Sequence, residues 1–221
     1  LVRYESVCKT YPNSSFSLSG IELEIKRGEF VLLTGKTGAG KTTLIKMAYG
    51  EEKPSQGRVL LMGKQLSSQG HRSLQKLRRS LGLVFQENGL ILDRSIYENI
   101  AFPLYINRFD KDTVKKRVSI ALRLVGLSNK QELYPCELSG GEKQKACIAR
   151  AIISDPDIMI ADEPTGNIDK RSAEQIMEVL WQINKKGVTV MLATHDTKIV
   201  KRKGCRIVEL SDGTITGDFF V

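Results

Sequence analysis

The sequence predicts an α/β protein built on a mostly parallel sheet. Three observations carry that reading. Short apolar runs recur at 30–34, 158–161 and 188–193; they are too brief for helices and apolar at successive positions, as strands buried on both faces are. A helical pattern at 172–184 stands between the second and third of these runs. Strand–helix–strand order needs a crossover, and a crossover pairs its strands in parallel. Residues 95–153 have a different texture, mostly helical and with long stretches free of β-branched runs. At 112–125, Val114, Val118, Ala121, Leu122 and Val125 recur at helical spacing before Gly126, as expected of an inserted helical subdomain.

The remaining elements follow in order. Residues up to 35 read as strands, the last of them 30–34, ending at Gly35. A glycine-rich loop leads into a short helix at 41–49, stopped by Gly50. Pro54 and Gly57 mark a turn, and 58–61 and 81–85 are strands separated by a basic segment at 74–79. After Pro156 the strands return at 158–161, 188–193 and 207–210, with Gly187 closing the helix between the first two. No internal repeat or low-complexity tract is present.

The chain has 221 residues, 41% hydrophobic and 27% charged. That suffices for one large domain with a core, and it excludes disorder, collagen and a coiled coil as whole-chain structures. Lys and Arg number 34 against 25 Asp and Glu, a net charge of +9. Such an excess suits an anionic partner (nucleotide, nucleic acid or lipid surface), but composition alone favours a solvated basic surface. No apolar run approaches the ~18 residues that span a bilayer. Residues 1–11 carry Arg3, Glu5 and Lys9, unlike a secretory leader. A membrane role is therefore expected to come through another chain. Cys8, Cys136, Cys147 and Cys205 show neither CxxC spacing nor nearby paired histidines, which fits reduced cytosolic thiols better than zinc or disulfides. Asn13-Ser14-Ser15 matches a glycosylation acceptor, which carries no weight without secretion.

Gly35-Lys36-Thr37-Gly38-Ala39-Gly40-Lys41-Thr42 fits the pattern GxxxxGK[ST], with a strand before it and a helix after it. Glycines let backbone N–H groups turn inward around phosphate oxygens, and the helix N-terminus adds positive potential. Lys41 is expected to reach the β- and γ-phosphates of a nucleotide, and Thr42 to place its hydroxyl on Mg²⁺. A glycine turn that merely caps a helix is the structural alternative.

The run Ile158-Met159-Ile160-Ala161 ends in Asp162 and Glu163. In a parallel sheet the carboxyl ends of the strands line the ligand crevice. Asp162 is expected to hold Mg²⁺, and Glu163 to orient or deprotonate the attacking water; an exposed pair of loop carboxylates is the alternative. His195 lies just past the run 188–193, at the same sheet edge, and is expected to contact the γ-phosphate. Further on, Ser139 and Glu142 form a capping box at a helix start. Capping does not explain Gly140 and Gly141, each of which weakens a helix by about 0.8–1 kcal/mol relative to Ala. Close backbone approach explains them, with the bare N–H groups suited to a second phosphate contact.

With these motifs the chain resembles the ATP-binding-cassette (ABC) family over essentially all its length. Leu138-Ser139-Gly140-Gly141-Glu142 is similar to the signature motif, Gln86 to the Q-loop glutamine, Gly166-Asn167-Ile168-Asp169 to the D-loop, His195 to the switch histidine and Tyr11 to the aromatic residue that stacks on adenine. The resemblance implies a RecA-like P-loop core at 1–86 and 156–221, with an antiparallel β subdomain, and a helical signature subdomain at 87–155. It implies ATP and Mg²⁺ as ligands, Thr43 among the nucleotide contacts, Gln86 both at the metal and in catalysis, and catalytic roles for Lys41, Glu163 and His195. Two copies would close head to tail around two ATP molecules, with Ser139, Gly140 and Gly141 acting in trans and Asp169 near the seam. The departures are Glu142 where many members have Gln, Lys143 and Lys145 for commoner Gln and Arg, and Lys36 for His or Ser.

Residues 93–99 and 209–213 most resemble the bacterial cell-division branch of the family. That implies an integral membrane partner of the FtsX type, control of cell-wall hydrolysis, and a peripheral location on the cytoplasmic face of the inner membrane. Residues 162–169 are shared with lipoprotein-release and macrolide-export ATPases, which is the alternative task. An apolar cleft near Gln86, within 86–105, would receive a short helix of the partner. The basic run 198–206 would face anionic lipid headgroups or simply solvent. Nucleic-acid binding is not expected, because that run contains no aromatic residue.

Overall fold

The computed structural model describes all residues except 13–15, 86–88, 167 and 196–203. Two sheets are present among the described residues. The larger has six strands in the order β10-β9-β3-β8-β7-β6, formed by β3 (Phe30–Thr34), β6 (Leu81–Val84), β7 (Ile158–Asp162), β8 (Thr189–Ala193), β9 (Cys205–Ser211) and β10 (Thr214–Phe220). Five of these run parallel, and β10 pairs antiparallel with β9 at the edge. The smaller sheet is antiparallel, in the order β2-β1-β4-β5, from β1 (Val2–Thr10), β2 (Ser17–Ile25), β4 (Gln56–Leu61) and β5 (Lys64–Gln65).

The apolar runs read from the sequence are the central strands. Every residue of β3 and β8 is buried. Successive β3 residues serve opposite cores: Phe30 and Leu32 belong to one apolar cluster, Val31 and Leu33 to the other. On the first side lie α3 (Ile96–Ile106), α4 (Lys111–Leu124), α5 (Gly140–Ile152) and α6 (Lys170–Lys185), where Trp181 stacks on Phe30 with ring centroids 3.8 Å apart. On the second lie the small sheet and α1 (Lys41–Ala48), joined by the buried Tyr4, whose hydroxyl donates to the Leu44 carbonyl at 2.8 Å.

The segment 95–153 is helical as expected, and its starts are capped by its own sequence. Ser95 with Glu98 and Ser139 with Glu142 form reciprocal capping boxes, and Asp110 caps α4. The loop before α3 is pinned by the buried Asn99. Its amide bonds the Ile91 N–H and the carbonyls of Ile91, Arg94 and Ser95.

Two elements differ from the sequence reading. The basic segment is part of a helix, α2 (His71–Arg78), whose only buried side chain is Leu77; Leu74 and Leu77 are its only apolar residues, too few within a basic stretch to be read as a helix. The last strand, β10, follows a tight turn at Asp212-Gly213 with positive φ at both residues, the Asp-Gly hairpin signal that the sequence does contain. Of the basic run 198–206, Arg206 is held by Asp218 and Glu29, so its charge is used within the fold; Lys198, Lys201, Arg202 and Lys203 lie outside the described residues. The Asn13-Ser14-Ser15 acceptor lies outside them as well. No described helix is long and apolar enough to cross a membrane. No disulfide joins any of the four cysteines, and burial pushes the Cys147 and Cys205 thiols up to about 12.

Candidate active site

Sheet register builds the site. Leu33 of β3 and Asp162 of β7 both pair with Ala193 of β8, so the three strands end on one rung. Parallel direction puts all three carboxyl ends on the same edge. Gly35, Glu163 and His195 thus emerge together from points far apart in the chain.

The loop after β3 turns sharply into α1. Gly40 is the N-cap of α1, at φ 107° and without a side-chain cap. A Cβ there would lie 2.5 Å from a Leu18 methyl carbon, so both conformation and space demand glycine. Lys36, Thr37, Gly38 and Thr42 are exposed, whereas Ala39 and Lys41 are buried. The Lys41 ammonium donates to the carbonyls of Gly35 at 2.7 Å and Lys36 at 3.1 Å. It lies 3.9 Å from Glu163 Oε1. Thr43 Oγ1 is 3.4 Å from the Tyr11 hydroxyl. The Tyr11 ring has the Lys9 ammonium 4.9 Å from its centroid, so one cation and one aromatic ring stand together beside α1.

Asp162 ends β7 with Oδ1 buried and without a hydrogen-bond partner among the described residues. Burial raises its carboxyl above the ordinary range, the Glu163 charge adds to that, and a hydrogen bond from Thr42 opposes it. An unpartnered buried oxygen beside a threonine hydroxyl is the donor set that a hard divalent cation takes. Glu163 adopts the left-handed conformation, φ 48°, with its N–H donating to the Ala193 carbonyl at 3.0 Å. Its Oε2 is 2.7 Å from His195 Nδ1. The His195 side chain is 64% exposed and that of Glu163 16%, so the histidine faces outward from the sheet edge.

The signature residues form a separate surface. Ser139 and Gly140 are exposed at the start of α5. Glu142 closes the capping box and accepts an ion pair from Lys130 at 2.6 Å; that pair and the Ser139 N–H hold its carboxyl below the usual range. The room at Gly141 is used within the chain itself. A Cβ there would stand 2.5 Å from Ser172 Oγ in the first turn of α6. The phosphate explanation for that glycine is thereby joined by a packing one. Asp169 caps α6, accepting from the Ser172 N–H at 2.9 Å; hydrogen bonds from the Ser172 hydroxyl and then its N–H lower its carboxyl.

Gln86 lies outside the described residues. Gln144, buried on α5, donates at 3.5 Å to the carbonyl of Phe85, the residue before Gln86 in sequence. Neither Gln144 nor Lys130 was singled out by sequence reasoning. Their partners lie 59 and 12 residues away, and no local spacing signals such a pair.

Taken together, a glycine loop at a helix N-terminus, a carboxylate pair and a histidine meet at the edge of a parallel sheet, in the motif order of one family. The chain belongs to the ABC transporter family, which matches residues 18–166, and it is an ATP-binding ABC-type ATPase. It is 41% identical over 217 residues to the cell division ATP-binding protein FtsE of Escherichia coli K12, covering 98% of each chain. It is 42% identical over 218 residues to FtsE of Bacillus subtilis 168, covering 99% of this chain and 96% of that one. Among solved structures, it is similar to the dimeric post-hydrolysis state of the ATP-binding cassette MJ0796 bound to ADP and phosphate. The TM-score is 0.90 at 32% identity, over 100% of this chain and 98% of the other.

Proposed function

We propose that this ATPase works in bacterial cell division, where closing of an ATP-bound homodimer drives an integral membrane partner of the FtsX type that controls cell-wall hydrolysis. The observation that carries the reading is the end-to-end similarity to FtsE proteins of two different bacteria. The chain would act at the cytoplasmic face of the inner membrane, held there by its partner and with no nucleic acid involved. Residues 1–86 and 156–221 would form the nucleotide-binding core and 87–155 the signature subdomain.

In this reading, loop N–H groups from Gly35 to Thr43 and the Lys41 ammonium bind the phosphates, and Tyr11 stacks on adenine. To reach the nucleotide, Lys41 exchanges its loop carbonyls for phosphate oxygens. Thr42, Asp162 and Gln86 would hold Mg²⁺, which would neutralise charge on the phosphates. Glu163 is the general base that takes a proton from the attacking water. His195, hydrogen-bonded to Glu163 at 2.7 Å, orients that carboxylate and reaches the γ-phosphate. Ser139, Gly140 and Gly141 complete the site of the facing copy, near Asp169.

The membrane partner has a candidate seat. A groove of about 460 Å³ opens beside Gly89, between α2, α3 and α5, with Ile91, Phe102 and Ile106 as apolar contacts and Arg78 and Arg150 at its rim. An apolar groove with a cationic rim suits a short amphipathic helix. The test is to isolate the Glu163→Gln chain with ATP from detergent-solubilised membranes of its own cells. Co-purification of a division-type membrane protein with an extracytoplasmic domain is the expected result. A lipoprotein-release or macrolide-export permease in its place would overturn the division role and leave the ATP site standing.

A further inference from the structure

A larger groove, about 650 Å³, lies between α4, the C-terminal end of α5 and the turn from α6 to β8. It shares no residue with the nucleotide site or with the groove beside Gly89. Ile120, Leu124, Ile152 and Val188 are among its apolar lining residues. Ile120 is 54% exposed although α4 buries Val114, Val118, Ala121 and Leu122, and beneath it Leu124, Ile152 and Val188 are only half-buried. A lone exposed aliphatic is ordinary; a set of them in one concave strip marks a contact surface.

The rim is cationic and largely unspent. Arg117 is committed within the fold, to Asp155 at 2.6 Å and to the Ile153 carbonyl at 3.3 Å. Lys116 and Lys186 line the groove and are exposed; neither has an ion-pair partner among the described residues. Among the described residues Asp155 is the single acidic one lining it, and Arg117 already neutralises that charge.

Length narrows the occupant. The α4 residues that line the groove run from Thr113 to Leu124, about 16 Å at 1.5 Å per residue, or three helical turns. We propose that this groove docks an acidic amphipathic helix of about three turns from a partner protein. Its apolar residues, at i, i+3, i+4 and i+7, would lie over Ile120 and Leu124, and its carboxylates would meet Lys116 and Lys186. Such charges steer the encounter and select against basic segments.

The test is site-specific photo-crosslinking of the full chain in the cells that make it. A photoreactive residue replaces Ile120, with the same residue at the exposed Leu92 as control, and the crosslinked segment is mapped by mass spectrometry. The expected product is one acidic, amphipathic helical segment. The Lys116→Glu/Lys186→Glu variant should lower its yield at least tenfold, while ATPase activity of the purified variant stays within twofold of the parent. Crosslinks to lipid, to a second copy of this chain or to a segment without acidic residues would overturn the proposal. So would a yield that the charge reversal leaves unchanged, or the absence of any crosslink beyond the Leu92 control.

Discussion

Glu163 leaves β7 in a left-handed backbone conformation, which costs a non-glycine residue about 1–2 kcal/mol. The return is position: its carboxylate meets His195 on one side and Lys41 on the other. With Glu163 as the proposed base, Glu163→Gln would keep the shape and remove the proton acceptor, so ATP hydrolysis should fall about 10²–10⁴-fold with nucleotide affinity retained; single-turnover hydrolysis alongside equilibrium binding measures both. Asp162 behaves differently. Its raised carboxyl means that the ionised form is less favourable in the folded chain than in the unfolded one. The penalty is present at neutral pH and vanishes as pH falls below the ordinary value of 3.8. Asp162→Asn should therefore raise the urea midpoint of the nucleotide-free protein at pH 7, a gain that disappears near pH 3.5. Mg²⁺ with ATP should stabilise the parent more than this variant, because the amide cannot supply the charge.

Elements meet through contacts that set the site's tolerance. The first turns of α5 and α6 touch at Gly141 and Ser172. Gly141→Ala would force them apart at an overpacking cost of about 1–3 kcal/mol, read as a lower denaturation midpoint. Adding Ser172→Gly should restore most of the loss; an unrescued double variant would place the cause elsewhere. Asn99 performs the comparable task for the loop before α3. Removing its amide leaves buried backbone groups unpaired, so Asn99→Ala should cost about 1–3 kcal/mol by chemical denaturation. Capping boxes, apolar spacing and the glycine loop were legible in the sequence because each is a local pattern. The helix α2 was not, since it has only two apolar residues and is held by tertiary contact: Arg78 caps α1 by donating to the Tyr49 and Gly50 carbonyls.

At the scale of the molecule, the phosphate loop edge and the Ser139–Gly140 start of α5 are two separate exposed surfaces. In the proposed sandwich they would serve one nucleotide site when two copies face each other. ATP should convert the Glu163→Gln chain from monomer to dimer, and Ser139→Arg should prevent this by placing bulk and positive charge in the seam. Sedimentation velocity with and without ATP reads both outcomes, and a variant that dimerises without nucleotide would count against the sandwich.

The sequence by itself determined the parallel core, the helical segment at 95–153 and the ATP-site motifs, because each is written in neighbouring residues. Tertiary structure alone decided which of these meet. Ala193 stands on a rung with Leu33 and Asp162, and that register brings Lys41, Glu163 and His195 within reach of one another. The groove along α4 is likewise a property of packing. Helical periodicity marks which residues lie on one face of α4, but only the placement of α5, α6 and β8 leaves Ile120 without a cover.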